Sequence, residues 1–448
     1  MSKHRVICFL VFLSFLFIPS LVIGGSIKII ASTYSFFNFH DFVTQYNSAN
    51  TTERSQMISD YLLWQKEQGG GFPAILNDTN VVFIYYSTFS TGSCKVTGDF
   101  TGWSEAGISM QRLDPTTDFF YKELSFEPRA RLDYKFIIDG NWQLDGRNPN
   151  KVEGGFGYNS ELAMPQFIQP TEIIYHPDIP HGNLTILPSP WDSPKVQVYL
   201  PPNYNPNKTY PTFYTSDGSE YIRLGSAVKI LDNLIDDKRI EPVIGVFIDP
   251  LGDRITWYQC NPDYITYLDG LVIYIDSMYS TNNSAYSRLH FGDSMGGLVS
   301  VYVGLERFDK FKLIGSHSGA FWYDGNYEII KKFQNVSSSI DLKVWFSAGT
   351  YESTIHMDTQ TMVNASQSHG WTTEFISLFE GHSWGSWRHS LDNLLEFFFP
   401  YRPEVISSDT ASIMSTITSN NEVTDFYLFP SIFGFIWFWF MNRRRRIK

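Results

Sequence analysis

At 448 residues the chain is long enough for two or more domains that each bury a core. Hydrophobic residues at 43% and aromatics at 17% exclude a disordered polymer. A formal charge of −12 leaves no basic field to neutralise phosphates, which excludes a nucleic-acid partner.

The chain opens "MSKHRVICFLVFLSFLFIPSLVIGGS". Lys3 and Arg5 precede an apolar run over positions 6 to 23, and Gly24, Gly25 and Ser26 close it. That order of charge, apolar run and small residues predicts a secretory signal over 1–25, with an uncleaved anchor as the alternative. Residues 26–78 read as a partly helical extension. In "TERSQMISDYLLWQKEQ", Met57, Ile58, Tyr61, Leu62 and Trp64 fall at near-helical spacing, and "GGGFP" stops the pattern.

Over 79–165 the character changes to short β-rich runs, "NVVFIYYST", "CKVTGDF", "FFYKELSFE" and "RLDYKFIIDG", divided by turn residues. They predict a small β-sandwich. Over 170–400, near-continuous apolar strands alternate with helical stretches. The strands include "VQVYLPP", "YPTFYTSDG", "PVIGVFIDP", "RLHFGDS", "KLIGSHSGAF", "KVWFSAGTY" and "TTEFISLFEGH"; the helices include "EYIRLGSAVKILDNLIDD" and "MGGLVSVYVGLERF". Strands apolar on both faces belong to a mostly parallel sheet covered by helices, an α/β architecture.

Residues 401–425 are rich in Ser and Thr and read as a stalk. Residues 426–441 carry no charge, and Arg443 to Arg446 and Lys448 follow in a basic tail over 442–448. Sixteen helical residues reach about 24 Å, slightly under a hydrocarbon core of about 30 Å, and flanking side chains snorkel across the difference. The expectation is a single span with the bulk of the chain outside the cell. A buried C-terminal helix is the alternative, which the arginine block opposes. Sequons at Asn50, Asn77, Asn183, Asn207, Asn282, Asn335 and Asn364 fit that location. Beyond the signal only Cys94 and Cys260 remain, too few for a disulfide framework, and their pairing stays open.

The chemistry concentrates in "RLHFGDSMGG", where Gly292-Asp293-Ser294-Met295-Gly296 has the spacing G-x-S-x-G between a predicted strand and a predicted helix. That context defines a nucleophile elbow, in which flanking glycines admit a tight turn. It makes Ser294 the candidate nucleophile and the Met295 N–H, at the helix start, an oxyanion donor. A serine hydroxyl needs a neighbouring imidazole to take its proton, and this fold supplies its partners in the order Ser, Asp/Glu, His. His382, in "FEGHSWGSW", follows a strand and precedes the last amphipathic helix, so it is the candidate base. His317 reads as a packing or substrate-side residue and His389 as a surface histidine. Glu352 ends the preceding strand and is the candidate acid, ahead of Asp358, which falls in the next helix. The second oxyanion donor is expected from Ser219 in "YPTFYTSDGSEY". Such chemistry runs on side chains alone, so no cofactor and no metal are expected.

These residues resemble the family that includes esterase D, enterochelin (enterobactin) esterases, feruloyl esterases and mycolyltransferases. "VYLPPNY", "YPTFYTSDG", "VIGVFIDPLGDR", "RLHFGDSMGG", "SAGTYE" and "FEGHSWGSWRHSL" carry the resemblance across about 170–400. It implies an α/β-hydrolase fold, a carboxylic ester hydrolase, and a nucleophile, acid and base at Ser294, Glu352 and His382. The "DG" at 217–218 resembles the enterochelin-esterase branch. Arg254 and Trp257 become candidate substrate contacts; relatives often carry an acid where Trp257 stands, so an iron-chelator substrate is not implied. Residues 79–165 resemble early-set immunoglobulin-like domains and the glycogen-binding domains of the AMP-activated kinase β subunit. "VTGDFTGW", "YKFIIDGNWQLDGRNPN" and "GYNSEL" carry this second resemblance. It implies sugar contacts at Trp103, Lys135, Trp142 and Asn159, or a domain that packs over the hydrolase and shapes its entrance. The expected partner is a small-molecule or glycan ester. Two rival readings share these features: acyl transfer by the same fold, and a surface carbohydrate-binding protein with an inactive hydrolase.

Overall fold

The computed structural model describes residues 33–337 and 339–403. The expected signal over 1–25, the stalk beyond 403, the span over 426–441 and the basic tail lie outside the described residues. Among the described residues no helix is long and apolar enough to cross a membrane. Cys94 and Cys260 are both free thiols.

The extension folds as two helices, Phe39–Ser48 and Thr51–Glu67. The second starts at a capping box, in which the Asn50 side chain accepts from the Glu53 N–H and the Glu53 carboxylate accepts from the Asn50 N–H. Their apolar faces lie on a four-stranded sheet that has Asn80–Tyr86 as one of its two inner strands. Val82 and Ile84 of that strand meet Phe39, Phe42 and Tyr61 of the helices, while Val81 and Phe83 face the other way. Burial on both faces explains why "NVVFIYY" reads as a continuous apolar run instead of an alternating one.

A second, six-stranded sheet closes over Val81 and Phe83, with Arg131–Ile138 near its centre and Cys94–Gly98 and Gly157–Ala163 on either side. Every pairing in the two sheets is antiparallel. The first sheet also recruits Ala74–Ile75, from before the expected start at 79.

The larger domain has one eight-stranded sheet: β1 (Asn183–Ile186), β2 (Val196–Leu200), β3 (Thr212–Ser216), β4 (Ile244–Ile248), β5 (Arg288–Asp293), β6 (Leu313–His317), β7 (Lys343–Gly349) and β8 (Thr372–Leu378). The order is β1-β2-β4-β3-β5-β6-β7-β8. β1 and β2 run antiparallel, as do β2 and β4; every later pairing is parallel. Helices cover both faces and build two apolar cores, one around Leu298, Val299 and Leu271 and the other around Leu231, Trp345 and Leu394. This is the α/β-hydrolase arrangement. The stretch "EYIRLGSAVKILDNLIDD" forms two helices instead of one, Gly218–Arg223 and Ala227–Asp236, because Ser226 adopts a left-handed backbone (φ 56°) that breaks the turn.

The β-domain rests on loops at the C-terminal ends of the hydrolase strands. The Arg131 N–H donates to the Phe379 carbonyl at 3.1 Å, and the Tyr351 hydroxyl donates to Glu127 at 2.5 Å. In open α/β sheets that strand end is where active sites form.

Candidate active site

Ser294 stands between β5 and the helix Met295–Glu306, with φ 54° and ψ −116°. A non-glycine residue held there is strained. The strain persists because the turn is clamped: the Ser294 N–H donates to the His317 carbonyl at 2.9 Å, and the Ser294 carbonyl accepts from Ala320 at 2.9 Å. Two glycines make room for it. A Cβ on Gly292 would lie 2.7 Å from the Gly296 backbone, and one on Gly296 would lie 2.9 Å from Ser216 Cβ. The strand–turn–helix setting expected from G-x-S-x-G is present, and the Ser294 hydroxyl lines a cleft.

His382 lines the same cleft, on the loop between β8 and the helix Trp384–Phe398. Its Nδ1 lies 2.6 Å from Glu352 Oε1, and the Glu352 side chain is buried. The second carboxylate oxygen, Oε2, accepts from the Ser318 hydroxyl at 2.8 Å and from the Gly349 N–H. Ser318 in turn accepts from Trp387 Nε1 at 3.1 Å, and the Trp387 ring meets His382 edge-on at 5.0 Å. Both oxygens of Glu352 are therefore used, which fixes the carboxylate against the imidazole. Ser318 and Trp387 were not among the expected residues. Trp387 lies five positions after His382 in the same "GHSWGSW" stretch, so proximity in sequence was its only signal.

Asp358 lies within the helix Thr354–Ser368 and makes no contact with His382. His317 is buried in packing, with Nδ1 3.0 Å from Ser347 Oγ, and burial pushes its pKa down to about 3. His389, expected at the surface, instead bonds the buried carboxylate of Glu380. The Phe167 ring, from the segment that follows the β-domain, meets His389 edge-on at 5.0 Å and leaves it partly buried.

Two further expectations change. The Ser219 N–H donates to Asp249 Oδ1 at 2.7 Å and its hydroxyl to Asp249 Oδ2 at 2.7 Å, so that N–H is already committed and is not a free oxyanion donor. Met295, first residue of its helix, keeps an N–H with no intrahelical acceptor. Trp257 is buried against Tyr264 and Tyr267, part of the core and away from the cleft. Arg254 does line the cleft, but its guanidinium is forked onto Asp217 at 2.8 and 2.7 Å, with Asp293 Oδ2 3.6 Å away. Burial, and then the charge of Asp217, hold the Asp293 carboxyl far above the usual range.

The opposite wall of the cleft comes from the β-domain. Trp103, Lys135, Trp142 and Asn159, on which the second resemblance placed sugar contacts, all line the cavity that holds Ser294 and His382. Trp103 and Trp142 stack with ring centroids 6.3 Å apart and 22° between planes. Trp103 Nε1 donates to Asp99 at 2.9 Å, and Asn159 donates to Asp133 at 3.0 Å. The hairpin over 154–157 adds Phe156, fully exposed at the rim. The cavity measures about 650 Å³, the size that takes a drug-sized molecule. Among the described residues no cluster of His, Cys, Asp and Glu could hold a metal ion.

Residues 189–398 match the family model described as Putative esterase. The chain is 28% identical over 169 residues to the uncharacterized protein YjcH of Bacillus subtilis (strain 168), covering 36% of this chain and 68% of that one. It is 27% identical over 205 residues to an endo-1,4-beta-xylanase/feruloyl esterase of Xylanibacter ruminicola, covering 42% of this chain but only 28% of that one. Among solved structures it superposes on the enterobactin esterase of Shigella flexneri with a TM-score of 0.61 at 21% identity, over 75% of this chain and 97% of the other. That superposition reaches beyond the length of the hydrolase domain alone and speaks to the fold.

Proposed function

We propose that the segment 189–398, which matches the Putative esterase model, hydrolyses esters through a Ser294–His382–Glu352 triad. One observation carries the reading: the 2.6 Å contact between His382 Nδ1 and Glu352 Oε1, in the cleft that also holds Ser294. With Nδ1 donating to the carboxylate, Nε2 is left as the basic nitrogen. Ser294 Oγ attacks the ester carbonyl as His382 takes its proton, and the Met295 N–H stabilises the oxyanion. The tetrahedral intermediate expels the alcohol, which receives the proton from His382, and leaves an acyl-enzyme. Water, deprotonated by His382, then releases the acid. Replacing that water by a second alcohol turns the same machinery into an acyltransferase.

The size of the cleft and its lining by Trp103, Trp142, Trp384, Trp387 and Phe156 support a bulky ester with a ring to stack, and not a short aliphatic one. In this reading the β-domain is an early-set immunoglobulin-like module, and Trp103, Lys135, Trp142 and Asn159 hold part of the ester substrate instead of a separate glycan. The apolar runs at 6–23 and 426–441 and the basic tail, read from the sequence, support a membrane-anchored protein with these domains outside the cell. The test is turnover of p-nitrophenyl acetate and labelling by a fluorophosphonate probe. Both should disappear in Ser294→Ala, and labelling that persists there would reject the assigned nucleophile.

A further inference from the structure

Arg131 begins the β-domain strand Arg131–Ile138 and is completely buried. Its guanidinium bridges the domains. Nε donates to Glu161 at 3.0 Å and Nη2 to Asp133 at 2.7 Å, both within the β-domain. Nη1 points the other way, donating to Ser383 Oγ at 3.3 Å and lying 3.5 Å from Glu380 Oε2. Those two residues flank His382, so one cation grips both sides of the loop that carries the imidazole. The fit leaves no slack. A Cβ on Gly385 would fall 2.1 Å from Arg131 Cζ, and one on Gly381 would fall 2.2 Å from Asp99 Cγ.

The same loop is tied to the acid. The Glu380 carbonyl accepts from the Tyr351 N–H at 3.2 Å, and His389 bonds the Glu380 carboxylate. Tyr351, next to Glu352, donates its hydroxyl to Glu127 of the β-domain. The loop of the base is therefore gripped by one β-domain side chain, and Tyr351, the neighbour of the acid, is tied to another. Around the cation stand Asp133, Glu161 and Glu380, with Arg388 3.9 Å from Glu161 as a second positive charge. Burial alone would lower the Arg131 pKa, but these carboxylates hold it above the ordinary value. A buried ion cluster of this kind adds little net stability, since desolvation offsets the Coulomb gain; what it supplies is fixed geometry.

We propose that Arg131 is a positioning residue, which locks the loop 379–383 so that His382 meets Glu352 and Ser294, and makes the β-domain a working part of the esterase. The inference rests on the triad reading above. Arg131→Met and Arg131→Lys in the full chain test it, with p-nitrophenyl acetate kinetics and circular dichroism to follow the fold. A displaced base costs rate and not binding. Arg131→Met should therefore lose about 100-fold in kcat with KM within about threefold. Arg131→Lys, which keeps the charge but not the fork, should recover about tenfold of that loss. A folded Arg131→Met with wild-type kcat overturns the proposal. Should Arg131→Met not fold, a folded Arg131→Lys decides in its place: a roughly tenfold loss of kcat at constant KM supports the proposal, and wild-type kcat overturns it. His382→Ala separates this inference from the triad reading. If His382→Ala is inactive while the Arg131 variants are normal, positioning alone is wrong; if His382→Ala keeps full activity, the triad itself is wrong.

Discussion

The Ser294 elbow and the His382 loop face each other across one cleft, yet the chain places them by different means. The elbow is local: β5, a strained residue and a helix follow one another within "RLHFGDSMGG", and Gly292 and Gly296 make the space. The loop is tertiary: its position depends on Arg131, 252 residues from Ser383 along the chain, and on Glu380 and Tyr351. A nucleophile set by backbone geometry fails only when the turn itself is altered. A base set by an interdomain cluster can be disturbed from another domain, so the two sides of the triad should respond differently to substitution.

The largest effect is expected where the halves meet. Glu352→Gln keeps the shape but loses the charge that orients His382, and kcat should fall by about 10³- to 10⁴-fold with KM little changed, measured on p-nitrophenyl acetate. Gly292→Ala attacks the local half alone. Its methyl would overlap the Gly296 backbone, so a loss of roughly 3 kcal/mol or more in denaturant unfolding is expected, with fluorophosphonate labelling lost as well. Trp142→Ala alters only the β-domain wall. KM should rise about tenfold for esters carrying an aromatic or sugar ring and stay unchanged for a short aliphatic ester such as ethyl acetate; equal KM changes for both would remove Trp142 from substrate binding.

The two domains should also part in their response to pH. His290 and His317, buried in the hydrolase, have pKa values pushed down to about 3 by burial, against about 6.5 unfolded. Below about pH 6.5 the unfolded chain binds the extra protons. Stability present above that pH is therefore lost as pH falls toward 3, by up to about 1.4 kcal/mol per unit for each histidine. Asp99 of the β-domain has the opposite sign. Burial, then the charge of Asp133, push its pKa up to about 8. The stability it contributes is present below its unfolded value of about 3.9 and is lost as pH rises through about 8. Denaturant unfolding across pH checks both: Asp99→Asn should flatten the decline between pH 4 and 8, and His290→Gln should flatten the acid limb. The smallest effect is expected at Asp293, whose carboxyl pKa is raised well above the usual range by burial and then by the charge of Asp217: Asp293→Asn should change kcat by less than about threefold, whereas a larger loss would mean that its charge is used.

Much of the catalytic half was legible because each feature there depends on neighbours in sequence. Ser294 announced itself by glycine spacing, Glu352 by closing a strand, and His382 by falling between the last strand and the last helix. The misplaced residues needed partners from elsewhere. Ser219 looked like a free N–H until Asp249, at the end of β4, took it. Trp257 looked like a cleft residue until Tyr264 and Tyr267 enclosed it. His389 looked exposed because helical spacing carries no information about the Glu380 carboxylate and the Phe167 ring that meet it in the fold.

The sequence by itself determined the order of elements, the sheet that ends in the elbow, and which serine, acid and base are proposed as the triad. It could do so because strand periodicity and tight turns are local, dictated by sterics over a few residues. Only the tertiary structure decided that the tryptophans of the β-domain and Ser294 share one cleft, and that a buried arginine reaches the histidine loop. Those relations join residues far apart in the chain, and a buried ion cluster leaves no periodic signature to read.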